Sequence, residues 1–121
     1  MANPFVHVEL QTTDLKKARD FYSKLFDWKL EDTPVPGFGN YTTIGVGEGT
    51  GGGMMASPTP GVPSHWLAYV DVSDLASATK KAKDLGAKVL VDSTPVSDMG
   101  KFSIITDPTG ATLGLWQTTR K

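Results

Sequence analysis

The chain has 121 residues, with twelve Lys or Arg against thirteen Asp or Glu and no cysteine, for a formal charge of −1. Near-balanced charge leaves no basic footprint for nucleic acid, and the missing cysteines exclude disulfides, thiolate zinc sites and a cysteine nucleophile. The first residues, Met1-Ala2-Asn3-Pro4-Phe5, lack a basic region followed by an apolar stretch, so no signal peptide is expected, and no apolar run approaches the roughly 20 residues that span a bilayer. A cytoplasmic protein without membrane or nucleic-acid partners is expected.

The elements follow in chain order. Val6, Val8 and Leu10 alternate with Phe5, His7, Glu9 and Gln11, which predicts a half-buried strand. Asp14 stands at a helix N-cap position, and Leu15, Ala18, Phe21 or Tyr22, and Leu25 continue at helical spacing. Three strands are predicted next, over 29–31, 41–46 and 52–56. Pro34-Val35-Pro36-Gly37-Phe38-Gly39-Asn40 reads as a turn that ends the first of them. The glycine run Gly47 to Gly53 is followed by neither helix nor lysine, so it is no phosphate loop. It predicts a tight turn and a strand with little side chain on one face. Residues 57–64 carry three prolines and read as a stiff linker. The second half repeats the order. A strand at 67–72 precedes Asp74, whose helix carries Leu75, Ala78, Ala82 and Leu85 and stops at Gly86. Strands at 88–91, 102–106 and 112–117 follow, the last two joined by Asp107-Pro108-Thr109-Gly110.

The halves are copies in pattern. His7 to Leu15 aligns with Leu67 to Leu75 at a shift of 60 (67 − 7), which also sets Ala18 on Ala78 and Leu25 on Leu85. Near the ends the shift is 61, matching Tyr41-Thr42-Thr43-Ile44 to Phe102-Ser103-Ile104-Ile105 and Gly53-Met54 to Gly114-Leu115. Two βαβββ modules, 1–56 and 65–121, are therefore expected, each needing the other to complete one structure.

His7-x-Glu9-Leu10-x-Thr12-x-Asp14-Leu15, followed by Phe21-Tyr22 and Leu25-Phe26-Asp27-Trp28, resembles the opening strand and helix of the vicinal oxygen chelate superfamily of glyoxalases, bleomycin-resistance proteins and extradiol dioxygenases. His65-Trp66-Leu67-x-Tyr69, Leu85-Gly86-Ala87 and Asp107-Pro108-x-Gly110 extend the likeness over nearly the whole chain, which is most similar to the short branch related to lactoylglutathione lyase. The resemblance implies an α+β fold, with two tandem βαβββ modules forming a strongly curved eight-stranded mixed sheet around a cup, and a homodimer. In metal-dependent members, side chains from the first and last strand of each module hold a divalent ion that acts as a Lewis acid on two neighbouring substrate oxygens.

The corresponding positions here are His7, Leu67, Gly53 and Gly114, so three of four lack a donor atom. One imidazole does not hold such an ion, and no metal or other cofactor is expected. If the first strands of the modules run antiparallel across a pseudo-two-fold axis, Glu9 faces His65 and Phe5 faces Tyr69. A Glu9–His65 pair within a polar cup is then expected, with a His7-Glu9-His65 metal cluster as the alternative.

Other residues carry two readings each. His7 is either a bonded strand histidine or a ligand contact, and Glu9 either a structural pair or a general base. Gln11, Met55, His65, Tyr69 and Trp116 share the inward face and are candidate ligand contacts, while Trp28 and Trp66 read as packing residues. The function expected is metal-independent binding of a small organic molecule. A lyase, isomerase or dioxygenase using Glu9, His7 and His65, with or without an unorthodox metal, is the competing reading, and fold alone does not decide between them.

Overall fold

A computed structural model describes residues 2–35, 39–58 and 60–119. Its elements are β1 (Phe5–Thr12), α1 (Leu15–Leu25), β2 (Lys29–Val35), β3 (Gly39–Gly45), β4 (Gly52–Ala56), β5 (His65–Asp71), α2 (Leu75–Asp84), β6 (Lys88–Val96), β7 (Gly100–Thr106) and β8 (Thr112–Thr118). Among the described residues, eight strands and two helices thus give the βαβββ order twice.

His7–Leu67 make one compact unit and Met1–Val6 with Ala68–Lys121 the other. The chain's start joins the second unit because Asp71 donates its amide to the Pro4 carbonyl at 2.9 Å, and the Asn3 side-chain amide donates to the Asp71 carbonyl at 2.9 Å.

In the His7–Leu67 unit the strand order is β2-β3-β4-β1. β1 and β4 run parallel, with Glu9 beside Gly53 and Gln11 beside Met55, and the other pairs are antiparallel. The predicted cap forms: Asp14 accepts from the Lys17 amide at 3.0 Å. Leu10, Ile44 and Met54 are buried, and Leu15, Ala18, Tyr22, Trp28, Leu30 and Val46 pack against them. Even-numbered residues of β1 therefore face α1, and His7, Glu9 and Gln11 point to the opposite face. Tyr22, not Phe21, enters the core; Phe21 and Leu25 stay exposed.

The expectation that Pro34 ends its strand is corrected. β2 runs on through Pro34 to Val35, pairing with Asn40 and Gly39. β2 is the outer strand of this unit's order, and there a residue without an amide donor breaks no ladder. Residues 36–38 of that predicted turn, and residue 59 of the predicted linker, lie outside the described residues. The glycine run behaves as expected: Gly47 and Gly49 take positive φ in a turn before β4.

In the other unit β5, β8, β7 and β6 are neighbours in that order, with β5 and β8 parallel and the other pairs antiparallel. Asp74 caps α2 through the Ser77 amide at 3.1 Å, and Gly86 leaves the helix at φ +106. Leu75, Ile105 and Leu115 form the core, joined by Ala78 and Ala82 of the predicted stripe. Leu85, also expected in the stripe, is 70% exposed, and Thr79 is buried instead. β6 reaches Val96 rather than stopping at 91, because a bulge between Val91 and Thr94 lets the strand resume.

Candidate functional site

One face of the His7–Leu67 unit carries a connected polar cluster. Glu9 is 7% exposed, a position at which an unpaired carboxylate would be costly. Its Oε1 accepts the Tyr41 hydroxyl at 2.9 Å, and its Oε2 accepts the Gln11 side-chain amide at 2.7 Å. The Tyr41 oxygen also lies 2.7 Å from Nε2 of His7, and the two rings stack with centroids 6.1 Å apart. Since the single phenolic proton goes to Glu9, the Tyr41 oxygen accepts from His7, and Nε2 is the protonated ring nitrogen. Burial holds the His7 imidazole below its ordinary value of 6.5, against the opposing pull of Glu9. His7 is thus a neutral donor in a chain that runs from His7 to Tyr41 to Glu9.

The structure brings together three of the predicted contacts, His7, Glu9 and Gln11, and adds Tyr41, which the sequence pattern does not single out. Met55 neighbours Gln11 on β4. His65, expected to pair with Glu9, has its Nδ1 2.9 Å from the Pro63 carbonyl, while Glu9 is bonded to Tyr41 and Gln11. One ring nitrogen of His65 thus has a local backbone partner. Trp28 and Trp66 join Tyr22 and Phe26 in one aromatic cluster: Tyr22 lies 5.6 Å from Trp28 and 5.5 Å from Trp66, and Phe26 lies 4.7 Å from Trp28.

The equivalent face of the other unit is aromatic. Tyr69 is buried beside Gly114 in the β5–β8 register and meets the Phe102 ring edge-on at 6.3 Å. Trp116 lies opposite Phe102 and donates its indole N–H to the Thr118 hydroxyl at 3.0 Å. Tyr69 and Trp116 are therefore predicted contacts on a face of different character.

The metal positions implied by the resemblance do not fit an ion. Leu67 is buried at 2% exposure and offers carbon, Gly53 and Gly114 offer no side chain, and His7 alone has a donor. Among the described residues, no three His, Cys, Asp or Glu side chains stand close enough to hold a metal, so His7, Glu9 and His65 do not form the alternative cluster.

Residues 5–115 match the model of the glyoxalase/bleomycin resistance protein/dioxygenase superfamily. The chain belongs to this superfamily. It is similar to CFP32 of Mycobacterium tuberculosis, 38% identical over 117 residues that cover 93% of this chain and 45% of that protein. It is also similar to the anthracycline biosynthesis protein DnrV of Streptomyces peucetius, 27% identical over 127 residues, covering 90% of this chain and 45% of that protein. The chain therefore spans about half the length of these curated relatives. Among solved structures, a hypothetical protein from Bacillus halodurans C-125 superposes with a TM-score of 0.75 at 14% identity, covering 100% of this chain and 98% of that one. Methylmalonyl-CoA epimerase from Mycobacterium tuberculosis superposes at 0.70 with 15% identity, covering 96% of this chain and 88% of that one. At these identities the structures share the fold of this superfamily member. No described helix is long and apolar enough to cross a membrane.

Proposed function

We propose that this superfamily member binds a small organic molecule on the polar face of its His7–Leu67 unit, without a resident divalent ion. The observation that carries the reading is the Glu9 carboxylate, buried yet bonded to Tyr41 and Gln11 on the face away from the helix. Such a cluster supplies a fixed acceptor and fixed donors, and binding sites in mostly apolar surroundings use a few convergent polar groups of this kind.

The test is thermal-shift screening of the wild-type chain and Glu9→Gln against α-ketoaldehydes, aromatic diols and glycopeptide antibiotics. A ligand at 100 times its dissociation constant adds about 2.7 kcal/mol to stability, and the substituted chain loses that gain. A stoichiometric divalent ion that disappears on His7→Ala would sink the ion-free reading.

A second reading is favoured by the same carboxylate. Glu9 would act as a proton carrier in a glyoxalase-like isomerisation or lyase step, with the phenol of Tyr41 bonded to it. Deuterium uptake at the carbon next to a substrate carbonyl, abolished by Glu9→Gln, separates catalysis from simple binding. A cytoplasmic location belongs with either reading.

We further propose a homodimer formed through the aromatic cluster beside α1. Phe21, Phe26 and Trp66 are 57%, 44% and 40% exposed although they belong to one packed group. Exposed apolar surface gathered in one packed group is the kind that a second copy of the chain covers.

A further inference from the structure

Position 53 is one at which metal-dependent members of the superfamily carry a ligand, and here the space is taken. A Cβ built on Gly53 would lie 2.2 Å from both the hydroxyl oxygen and Cε2 of Tyr41. Real side chains do not approach so closely, so the Tyr41 ring and any side chain at 53 exclude one another. Nor is that ring free to swing aside without loss, because its hydroxyl is bonded to His7 and Glu9.

The same hydroxyl covers one ring nitrogen, Nε2, of the remaining donor. With the phenolic proton given to Glu9, Nε2 of His7 carries a hydrogen directed at Tyr41. A protonated ring nitrogen has no lone pair for a metal. The other unit repeats the steric half of this arrangement: a Cβ on Gly114 would lie 2.4 Å from Cδ2 and 2.9 Å from Cγ of Tyr69. Both glycines at the last-strand ligand positions thus sit under tyrosine rings.

We propose that Tyr41, seated on Gly53, is the residue that turns this set of family positions into an ion-free hydrogen-bonding site. Its ring occupies the volume of the absent side chain, and its hydroxyl takes the Nε2 edge of the last donor. His7, Tyr41, Glu9 and Gln11 are thereby held as one polar surface for an organic ligand. The loss of the ion is then a joint property of Tyr41 and Gly53, and restoring a carboxylate at 53 alone does not reverse it. This rests on the ion-free ligand-binding reading: ion bound to the wild type would remove both, whereas the His7 ring spectrum and the Gly53→Glu melting test the Tyr41 arrangement alone.

The full chain is incubated with Zn2+, Mn2+ or Ni2+, desalted and assayed for metal, and the His7 ring nitrogens are observed by 15N NMR. The wild type is expected to retain no stoichiometric ion and to show Nε2 as the protonated nitrogen. Tyr41→Phe keeps the ring volume and is expected to fold while changing the His7 ring spectrum. Gly53→Glu is expected to melt below the wild type, and adding Tyr41→Ala to Gly53→Glu to recover part of that loss, a coupling that independent sites would not show. The proposal is overturned by an equivalent of ion bound through Nε2 of His7 in the wild type, or by Nδ1 as the protonated nitrogen. An unchanged ring spectrum in Tyr41→Phe, or Gly53→Glu melting with the wild type, also overturns it.

Discussion

The Ser93 amide donates to the Ser103 hydroxyl at 3.0 Å from inside the β6 bulge, where Ser93 holds φ +35. Ser103 is fully buried and also lies 2.8 Å from the Thr79 hydroxyl, which itself donates to the Leu75 carbonyl at 2.7 Å. The first half of the chain holds the equivalent triad: Arg19 donates to Asp32 and to Thr42, and Thr42 donates to Asp32 at 2.8 Å. Helix and sheet are thus tied in each unit by a three-residue polar link at repeat-matched positions. Ser103→Ala leaves the Ser93 amide unpaired in a strained bulge. It is expected to cost about 1–3 kcal/mol in urea unfolding, whereas Ser103→Thr, which keeps the hydroxyl, retains more of the stability.

Gly52 answers to its backbone neighbour rather than to its own conformation. A Cβ there would lie 1.9 Å from the Val8 carbonyl oxygen, so Gly52→Ala must push β1 and β4 apart. Overpacking of this kind is expected to cost about 3 kcal/mol or more. Gly47→Ala meets nothing within 4 Å and suffers only from φ +86, a penalty of about 1–2 kcal/mol. Equal losses in the two variants, measured by denaturant unfolding, would contradict the close approach of the strands.

Acid sensitivity follows from depressed carboxyl groups: Asp74, Asp107 and the Asp32 of the Arg19–Thr42 link. The Ser77 amide, and then the Ser77 side chain, holds Asp74 below its usual 3.8, and the Thr109 hydroxyl followed by the Ala111 and Thr109 amides does the same for Asp107. A depressed folded value means that the unfolded chain binds the proton first. The contribution of each group is therefore complete above the unfolded value and disappears as pH falls through the folded one. Asp74→Asn and Asp107→Asn are expected to flatten the loss of melting temperature below about pH 4. An unchanged acid limb in both variants would show that neither cap nor turn titrates as described.

The aromatic face gives a prediction about association. Replacing Phe26 or Trp66 by Ser removes exposed apolar surface from the cluster around Tyr22. Light scattering is expected to show a dimer for the wild type and a shift toward monomer for each variant. A wild-type monomer at the highest soluble concentration would remove the second copy as the occupant.

Much of the fold is legible in the amino-acid sequence. Asp14 and Asp74 announce helix starts because a carboxylate accepts neighbouring amides, and Gly86 and Gly110 mark chain reversals that need positive φ. Leu10 and Leu75 follow from periods of two and of 3.6 residues, which depend only on local geometry. The expectation at Pro34 fails because whether a proline ends a strand depends on which strand lies at the edge. Phe21 and Tyr22 both fit the helical spacing, and only the packing of α1 selects Tyr22, while Leu85 is exposed because α2 ends before it, at Asp84.

The site divides along the same line. At the ligand positions that the family resemblance marks, residue types alone showed three of four without a donor, and strand alternation put His7, Glu9 and Gln11 on one face. Only the tertiary structure brought in Tyr41, 34 residues from His7 and 32 from Glu9. Strand register, not sequence spacing, sets such contacts: β3 pairs with β4 and β4 with β1, and each step passes along backbone hydrogen bonds that no local pattern specifies.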